Sequence, residues 1–197
     1  MRTIVDYNVV LERLQSRGLV CNYYNGGAFG FPPALKAQTV AWIGPPDETI
    51  RAEARQFTRQ VPEPYEPSLA SLATKFWQQL AVPAWVMPMS HWAFELDHGN
   101  HQWLPGLLEA VGVSAGELQP RTNAAAIEFP PDDPAAFRLF VQGLLTNLGG
   151  SDFAIVFPDR AVVCIIHHHK QLWWTTTEPA LLGTLDQLMG TAESPIS

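Results

Sequence analysis

The sequence predicts an α+β fold in which a mainly antiparallel sheet is flanked by helices, with residues 1–197 forming a single compact domain. Short apolar stretches of strand character alternate with longer segments whose apolar residues recur at helical spacing. The stretches "DFAIVF", "AVVCIIH" and "QLWWTT" follow one another through links too short for a parallel crossover, so they should pair antiparallel. Hydrophobic residues make up 47% of the chain and charged residues 16%, which is typical of a protein with a well-buried core.

The first helix is expected close to the N-terminus. Ile4, Tyr7 and Leu14 recur at helical spacing. Gly18 follows as a stop signal, so the helix should span residues 4–17. The elements expected next are a strand and turn in "LVCNYYNGG", a strand over residues 39–43, a helix from Asp47 to about Gln60, and a helix from Ser68 to Leu80.

A hairpin is expected over residues 84–97. On its second arm Trp92, Phe94 and Leu96 alternate with smaller or more polar residues, a period of two that predicts a strand with one buried face. The segment "LPGLLEAVG" then reads as a short helix.

The second half of the chain begins with "NAAAIEF" as a strand. Asp133 is the expected cap of the helix that follows, Pro134 its first residue and Gly149 its stop signal. The three antiparallel strands come next, and residues 179–189 should close the chain as a helix.

Two parts of the sequence resemble each other and predict an internal repeat. The segment "AWIGPPDE" matches "AIEFPPDD", and His98 and Trp103 match His168 and Trp173 in the same order. The unit would be strand–helix–hairpin–strand–helix, used once over residues 39–112 and again over 124–190, with an inserted helix around 49–65. The alternative is coincidence, since amphipathic helices share an apolar stripe and proline begins many of them.

Composition excludes several classes of function. The chain has a net charge of −7, twelve lysines and arginines and no basic run, so nucleic acid is not an expected partner. The longest aliphatic run, residues 161–166, is far shorter than the roughly 20 residues of a membrane span. Asp6 and Glu12 interrupt the N-terminal segment, which favours a cytoplasmic location and free thiols at Cys21 and Cys164.

All six histidines fall into two stretches, "HWAFELDHGNH" and "CIIHHHK". Imidazole binds Zn²⁺ well, and Asp97 has the chemistry to orient such a ligand. Side chains alternate along a strand, so His168 should point away from its two neighbours. The predicted metal ligands are therefore His98, His101, His167 and His169.

The alternative is that the second histidine stretch is only the polar end of a buried strand. Both faces of "AVVCII" are apolar, as in a strand covered on both sides, and its exit into solvent needs polar residues and a turn. Cys164 lies inside that strand, where burial leaves a thiol inert, so no catalytic nucleophile is assigned.

The favoured functional hypothesis is a non-catalytic binding or regulatory module for a protein or small-molecule ligand, with no cofactor. Trp173 and Trp174 are neighbours on a strand, so one indole must face away from the other. The predicted recognition surface consists of Asp97, His98, Trp103, His168 and Trp173. The alternative function is a metal-dependent hydrolase that draws on both histidine stretches and Zn²⁺.

Overall fold

The fold was analysed in a computed structural model, which describes residues 2–19, 22–24, 28–30, 39–45, 58–61, 63–178 and 180–190. These residues form ten strands and seven helices. The strands are β1 (Ile4–Val5), β2 (Asn22–Tyr24), β3 (Ala28–Gly30), β4 (Thr39–Gly44), β5 (Thr58–Gln60), β6 (Ala84–Pro88), β7 (Ala126–Phe129), β8 (Phe153–Val156), β9 (Val162–His167) and β10 (Gln171–Thr176). The helices are α1 (Tyr7–Ser16), α2 (Tyr65–Leu80), α3 (Trp92–Asp97), α4 (Leu104–Ala110), α5 (Ala115–Leu118), α6 (Pro134–Asn147) and α7 (Ala180–Gly190).

Eight of the strands form one sheet in the order β1-β7-β6-β8-β9-β10-β4-β5, while β2 and β3 pair separately. Seven strands of the large sheet pair antiparallel, and β5 joins β4 in parallel at the far edge. The predicted α+β class with a mainly antiparallel sheet is confirmed. The consecutive pairing of β8, β9 and β10 is confirmed as well, because their links leave room only for tight turns.

Helices cover both faces of the large sheet. On one face α2 and α6 pack against each other, with the rings of Trp77 and Phe137 4.4 Å apart, and their apolar stripes join the larger core. On the other face Val10 and Leu14 of α1 pack with Trp85 and Met87 of β6 in a smaller core. The central strands β8 and β9 are buried along their whole lengths because they are covered on both sides.

The N-terminal helix begins later than predicted. Ile4 and Val5 pair with β7, and Asp6 accepts a hydrogen bond from the backbone N–H of Asn8 as the helix cap. A short strand and a cap therefore precede α1, which keeps the predicted apolar stripe.

The expected hairpin over residues 84–97 is wrong in its second arm, which forms helix α3. His91 Nδ1 accepts the backbone N–H of Phe94 and caps the helix. Trp92 and Glu95 are buried three residues apart while Phe94 is 46% exposed, a helical and not a strand period. Apolar residues in this segment fit the helical period as well as the period of two from which a strand was predicted.

The helix predicted from Asp47 to about Gln60 lies mostly outside the described residues. Its last three residues, Thr58–Gln60, form strand β5 beside β4 and are not helical. Cys21 and the turn at residues 25–27 also lie outside the described part of the chain.

The internal repeat is not confirmed. The first unit places β6 between β7 and β8, four positions from β4 in the sheet, and continues with helix α3. In the second unit β7 and β8 lie only two positions apart, with β6 between them, and two further strands, β9 and β10, follow in place of a helix. Apolar stripes of amphipathic helices and prolines near helix starts are features that unrelated segments share.

Among the described residues, no helix combines the length and apolar character that crossing a membrane requires.

Candidate functional site

The histidine run forms the turn between β9 and β10. The strand ends at His167, the turn spans residues 168–170, and Lys170 adopts a left-handed conformation with φ 59°. The name turn cluster is used here for the side chains that meet at this place, which are Asp152, His167, His168, His169 and Trp173.

The aromatic rings of the turn cluster are stacked closely. The imidazole of His167 lies on the indole of Trp173, with ring centroids 3.9 Å apart and an interplanar angle of 17°. The centroid of His167 is 4.2 Å from that of His168 and 4.8 Å from that of His169. One ligand nitrogen from each of the three histidines lies within 4.8 Å of the others. His168 was expected to face away, but strand alternation ends at His167, and the turn returns its ring to the group.

Asp152 holds the turn from the start of β8. Its Oδ1 accepts the backbone N–H of His168 at 3.0 Å and lies 2.8 Å from Nδ1 of the same imidazole. Its Oδ2 lies 3.9 Å from Nε2 of His167. The carbonyl of Asp152 also accepts the backbone N–H of Met89 at 2.9 Å, which ties this position to the end of β6.

A second contact fixes the other side of the turn. Lys170 Nζ donates to Glu66 in the first turn of α2. This contact lowers the pKa of the Glu66 carboxyl below its usual value because the ammonium favours the ionised form. The turn is therefore anchored to both β8 and α2.

The other histidine stretch surrounds a carboxylate inside the protein. The name buried cluster is used for Ser90, Glu95, His98, His101 and Ser151. Glu95 and His101 have no exposed surface. Ser90 Oγ donates to Oε1 of Glu95, Ser151 Oγ donates to Oε2 at 2.9 Å, and His101 Nδ1 lies 3.0 Å from Oε2. A buried carboxylate requires this set of partners, since unpaired it would lose its hydration without compensation.

His98 and His101 are brought together by a tight turn. The backbone N–H of His101 donates to the carbonyl of His98 at 2.8 Å, and the two imidazole centroids are 4.6 Å apart. Phe94 lies 5.3 Å from His98 and Trp103 lies 5.4 Å from His101, measured between ring centroids. Within the described residues, Nδ1 of His98 and both ring nitrogens of His101 are buried without a hydrogen-bond partner, because the 3.0 Å approach of His101 Nδ1 to Glu95 lacks hydrogen-bond geometry.

The two clusters lie on opposite faces of the sheet. Trp173 pairs with Ile165, which pairs with Ala154 in the core beneath α1. Trp103 packs against the larger core on the other face. Opposite residues in antiparallel strands point to the same side, so Trp173 belongs to the α1 side. The clusters are joined along the chain because Ser151 contacts one and Asp152 contacts the other.

The five residues of the predicted recognition surface divide between these places. His168 and Trp173 belong to the turn cluster, whereas His98 is in the buried cluster and Trp103 is beside it. Asp97 is exposed and accepts a hydrogen bond from Gln119 Nε2 at 2.7 Å. The helical form of residues 92–97 turns Asp97 away from the buried Glu95.

The four predicted metal ligands also divide into pairs. In the part of the chain that the structure describes, the histidine, cysteine and carboxylate side chains close enough to share an ion are His167, His168 and His169. His98 and His101 are not in that group. The internal repeat that would have placed the four at equivalent strand ends is not confirmed, and the two pairs lie on opposite faces of the sheet.

The tryptophan pair on β10 alternates as predicted. Trp174 is fully buried, with its ring centroid 4.5 Å from that of Phe76, whereas Trp173 is only half-buried. Trp103 is half-buried too, and its indole donates to the carbonyl of Asn100. Neither of these two indoles is enclosed by the core.

Cys164 is a free, fully buried thiol in β9. Burial raises its pKa well above the usual value, because a thiolate there would be desolvated. The expectation of an inert thiol agrees with this position.

Ser90, Glu95, Ser151 and Asp152 were not predicted as site residues. Ser151 and Asp152 directly precede an apolar strand, a position where polar residues are ordinary. The pairing of β6, β8 and β9 brings Ser151 to Glu95 and Asp152 to His168, contacts between separate segments that leave no local pattern. Ser90 and His101 lie close to Glu95 in the chain, and their contacts were missed because residues 92–97 were predicted as a strand.

A groove of about 380 Å³ lies elsewhere, beside β7 and the start of α6. Its cation, Arg2, already pairs with Asp133 at 2.5 Å and lies over the ring of Phe129. The groove therefore offers an anionic ligand no uncommitted cation among the residues that line it.

No protein-family model, curated protein or solved structure matches the chain.

Proposed function

We propose that the protein is a non-catalytic binding or regulatory module that takes a small-molecule or protein ligand at the turn cluster. The observation that carries the proposal is the half-buried indole of Trp173 stacked on His167 at 3.9 Å, beside two further imidazoles. An amphipathic aromatic surface of this kind dominates many binding sites.

The Trp173 side chain and the backbone of the turn are anchored by several contacts, which favours binding. Trp173 lies on a strand with paired neighbours on both sides, and its Nε1 donates to Gln171 Oε1 at 2.8 Å. Asp152 and Glu66 hold the turn itself. A ligand that lands on a fixed surface loses less free energy to ordering of the protein.

The hydrolase alternative has less support. It requires His98, His101, His167 and His169 around one ion, and the two pairs lie on opposite faces of the sheet. The Glu95 carboxylate, the nearest candidate for a general base, already has contacts to Ser90, Ser151 and His101. Its geometry supports a structural role.

A cytoplasmic location is part of the proposal. The free thiol of Cys164 supports it, because cysteines remain reduced in that compartment.

The proposal is tested with a panel of probes of different classes. Thermal shift and intrinsic fluorescence of the full chain are measured with Zn²⁺, adenosine triphosphate, L-tryptophan and a set of short peptides. At least one class is expected to raise the melting temperature, and Trp173→Ala should weaken that binding by about tenfold or more.

The matched control is Phe94→Ala, since Phe94 is an exposed aromatic residue beside the other cluster. It should leave binding unchanged. Failure of every class to bind would contradict the proposed function, and loss of binding only in Phe94→Ala would move the site to the opposite face.

A further inference from the structure

We propose that the ligand of the turn cluster is a divalent transition-metal ion of the zinc class, held by His167, His168 and His169. This inference rests on the proposed function, for which it names the ligand. It differs from the four-histidine site that the sequence predicted, because it includes His168 and excludes His98 and His101.

The distances suit an ion after a small closure of the rings. The three ligand nitrogens lie within 4.8 Å of one another. Zinc–imidazole bonds of roughly 2.0–2.1 Å at tetrahedral angles place two ligand nitrogens of one ion about 3.4 Å apart, so the present separations must shorten on binding. His169 is exposed, so the proposal requires its side chain to rotate toward the rings of His167 and His168, which contact Trp173 and Asp152.

Asp152 prepares His168 as a ligand. Its Oδ1 lies 2.8 Å from Nδ1 of His168, which places the imidazole proton on Nδ1 and leaves the Nε2 lone pair for the ion. The same oxygen accepts the backbone N–H of His168 and fixes the position of the residue. Carboxylate–histidine–metal arrangements of this type set the ring orientation and raise the basicity of the ligand.

His167 is oriented by its neighbours as well. Its ring lies flat on Trp173, and its Nδ1 accepts the backbone N–H of His169 at 3.2 Å. Its Nε2 lies 3.9 Å from Asp152 Oδ2, so the carboxylate adds a negative charge beside both rings. That charge offsets part of the charge of a divalent cation in a half-buried place.

The donor set selects the class of ion. Three imidazoles favour Zn²⁺, Ni²⁺ and Cu²⁺ over Mg²⁺ and Ca²⁺, which prefer oxygen ligands. Three protein ligands on an accessible turn leave one coordination position for water or for a donor group from a partner.

Isothermal titration of the full chain with Zn²⁺ and Ni²⁺ tests the inference, after removal of bound metal with a chelator. One ion is expected per chain. His168→Ala and His169→Ala should each weaken binding at least tenfold, and Mg²⁺ should not compete. Asp152→Asn should weaken binding by about 10–100-fold, as other residues that position metal ligands do.

Two control variants test which histidines are used. His91→Ala removes a histidine outside the turn and should leave the affinity unchanged. His98→Ala should also leave it unchanged, and a tenfold loss in that variant would overturn the three-histidine site in favour of the four-histidine site. Circular dichroism of every variant separates loss of binding from loss of folding.

The folded site is distinguished from a simple histidine run by repeating the titration in urea. The unfolded chain should bind Zn²⁺ at least tenfold more weakly, because it lacks Asp152 beside the turn. Equal affinity in the folded and unfolded chain, or an unaffected Asp152→Asn variant, would overturn the inference. If Zn²⁺ fails to bind while another probe binds at Trp173, the inference fails and the proposed function stands.

Discussion

The two histidine clusters contain similar side chains at the same end of one sheet, yet they differ in what surrounds them. In the buried cluster Glu95 and His101 have no exposed surface, and the carboxylate contacts two serines and an imidazole. In the turn cluster His168 and Trp173 are half-buried and His169 is exposed. The buried carboxylate is compensated by the two serine hydroxyls, whereas partial exposure leaves the side chains of the turn cluster available to a ligand.

The change from one environment to the other occurs between two adjacent residues. Ser151 donates to Glu95 inside the protein, and Asp152 accepts from His168 at the turn. The same division occurs on β10, where Trp174 is buried and Trp173 is half-buried. We therefore expect substitutions on the buried side to change stability and those on the exposed side to change binding.

The largest expected effect is that of Trp174→Ala. Its ring packs against Phe76 and stacks on Phe157 in the core, so we expect a loss of about 3–5 kcal/mol in the free energy of unfolding. Trp173→Ala should cost roughly 1–2 kcal/mol, since its ring is partly exposed. Urea denaturation measures both.

Trp174→Phe provides the control for this comparison. The indole Nε1 of Trp174 has no hydrogen-bond partner among the described residues, so the phenyl ring removes a buried unpaired donor while keeping the packing. The loss in the free energy of unfolding should be much smaller for Trp174→Phe than for Trp174→Ala. Equal losses for Trp173→Ala and Trp174→Ala would remove the distinction between the two faces.

The second effect compares Glu95→Ala with His168→Ala. Removing the Glu95 carboxylate leaves the hydroxyls of Ser90 and Ser151 without their acceptor inside the protein, at roughly 1–3 kcal/mol for each group that stays unpaired. We expect a total loss of roughly 3 kcal/mol, measured by urea denaturation.

His168→Ala removes one contact in a half-buried place and should cost about 1 kcal/mol or less. Glu95→Gln retains an acceptor and should fall between the two. A variant of Glu95 as stable as the wild type would show that the buried cluster has another role than stability.

The smallest expected change in stability concerns the ion pair between Lys170 and Glu66, which anchors the turn. Lys170→Ala removes the contact to Glu66, and a partly exposed ion pair contributes less than about 1 kcal/mol. The pKa of Glu66 is lowered in the folded state from a value of 4.5, so the contribution is present above that pH and is lost as the pH falls through the lowered value.

Urea denaturation at pH 7 and at pH 3 checks this sign. The wild type should exceed Lys170→Ala in stability at pH 7, and the difference should shrink at pH 3. The control is Lys75→Ala, an exposed lysine in the middle of α2. A difference that grows on acidification would contradict the assignment of Glu66 as the partner.

Much of the fold follows from local patterns in the sequence. The cap at Asp133 with Pro134 predicted the start of α6, and the short links predicted the antiparallel order of β8, β9 and β10. The same kind of reasoning failed over residues 92–97, where apolar residues fit two periods at once. The helical geometry places Trp92 and Glu95 on the buried side, where Glu95 contacts Ser90 and His101 from the same segment and Ser151 from the distant start of β8.

The sequence by itself determined the class of the fold, the end of β9 at the histidine run and the opposite directions of Trp173 and Trp174, because each depends on residues that are neighbours in the chain. Only the tertiary structure decided which histidines meet. Asp152 reaches His168, and Ser151 reaches Glu95, through strand pairing between distant segments. Contacts of that range leave no local pattern, so the partners that place one histidine group inside the protein and the other at an accessible turn are a property of the folded chain.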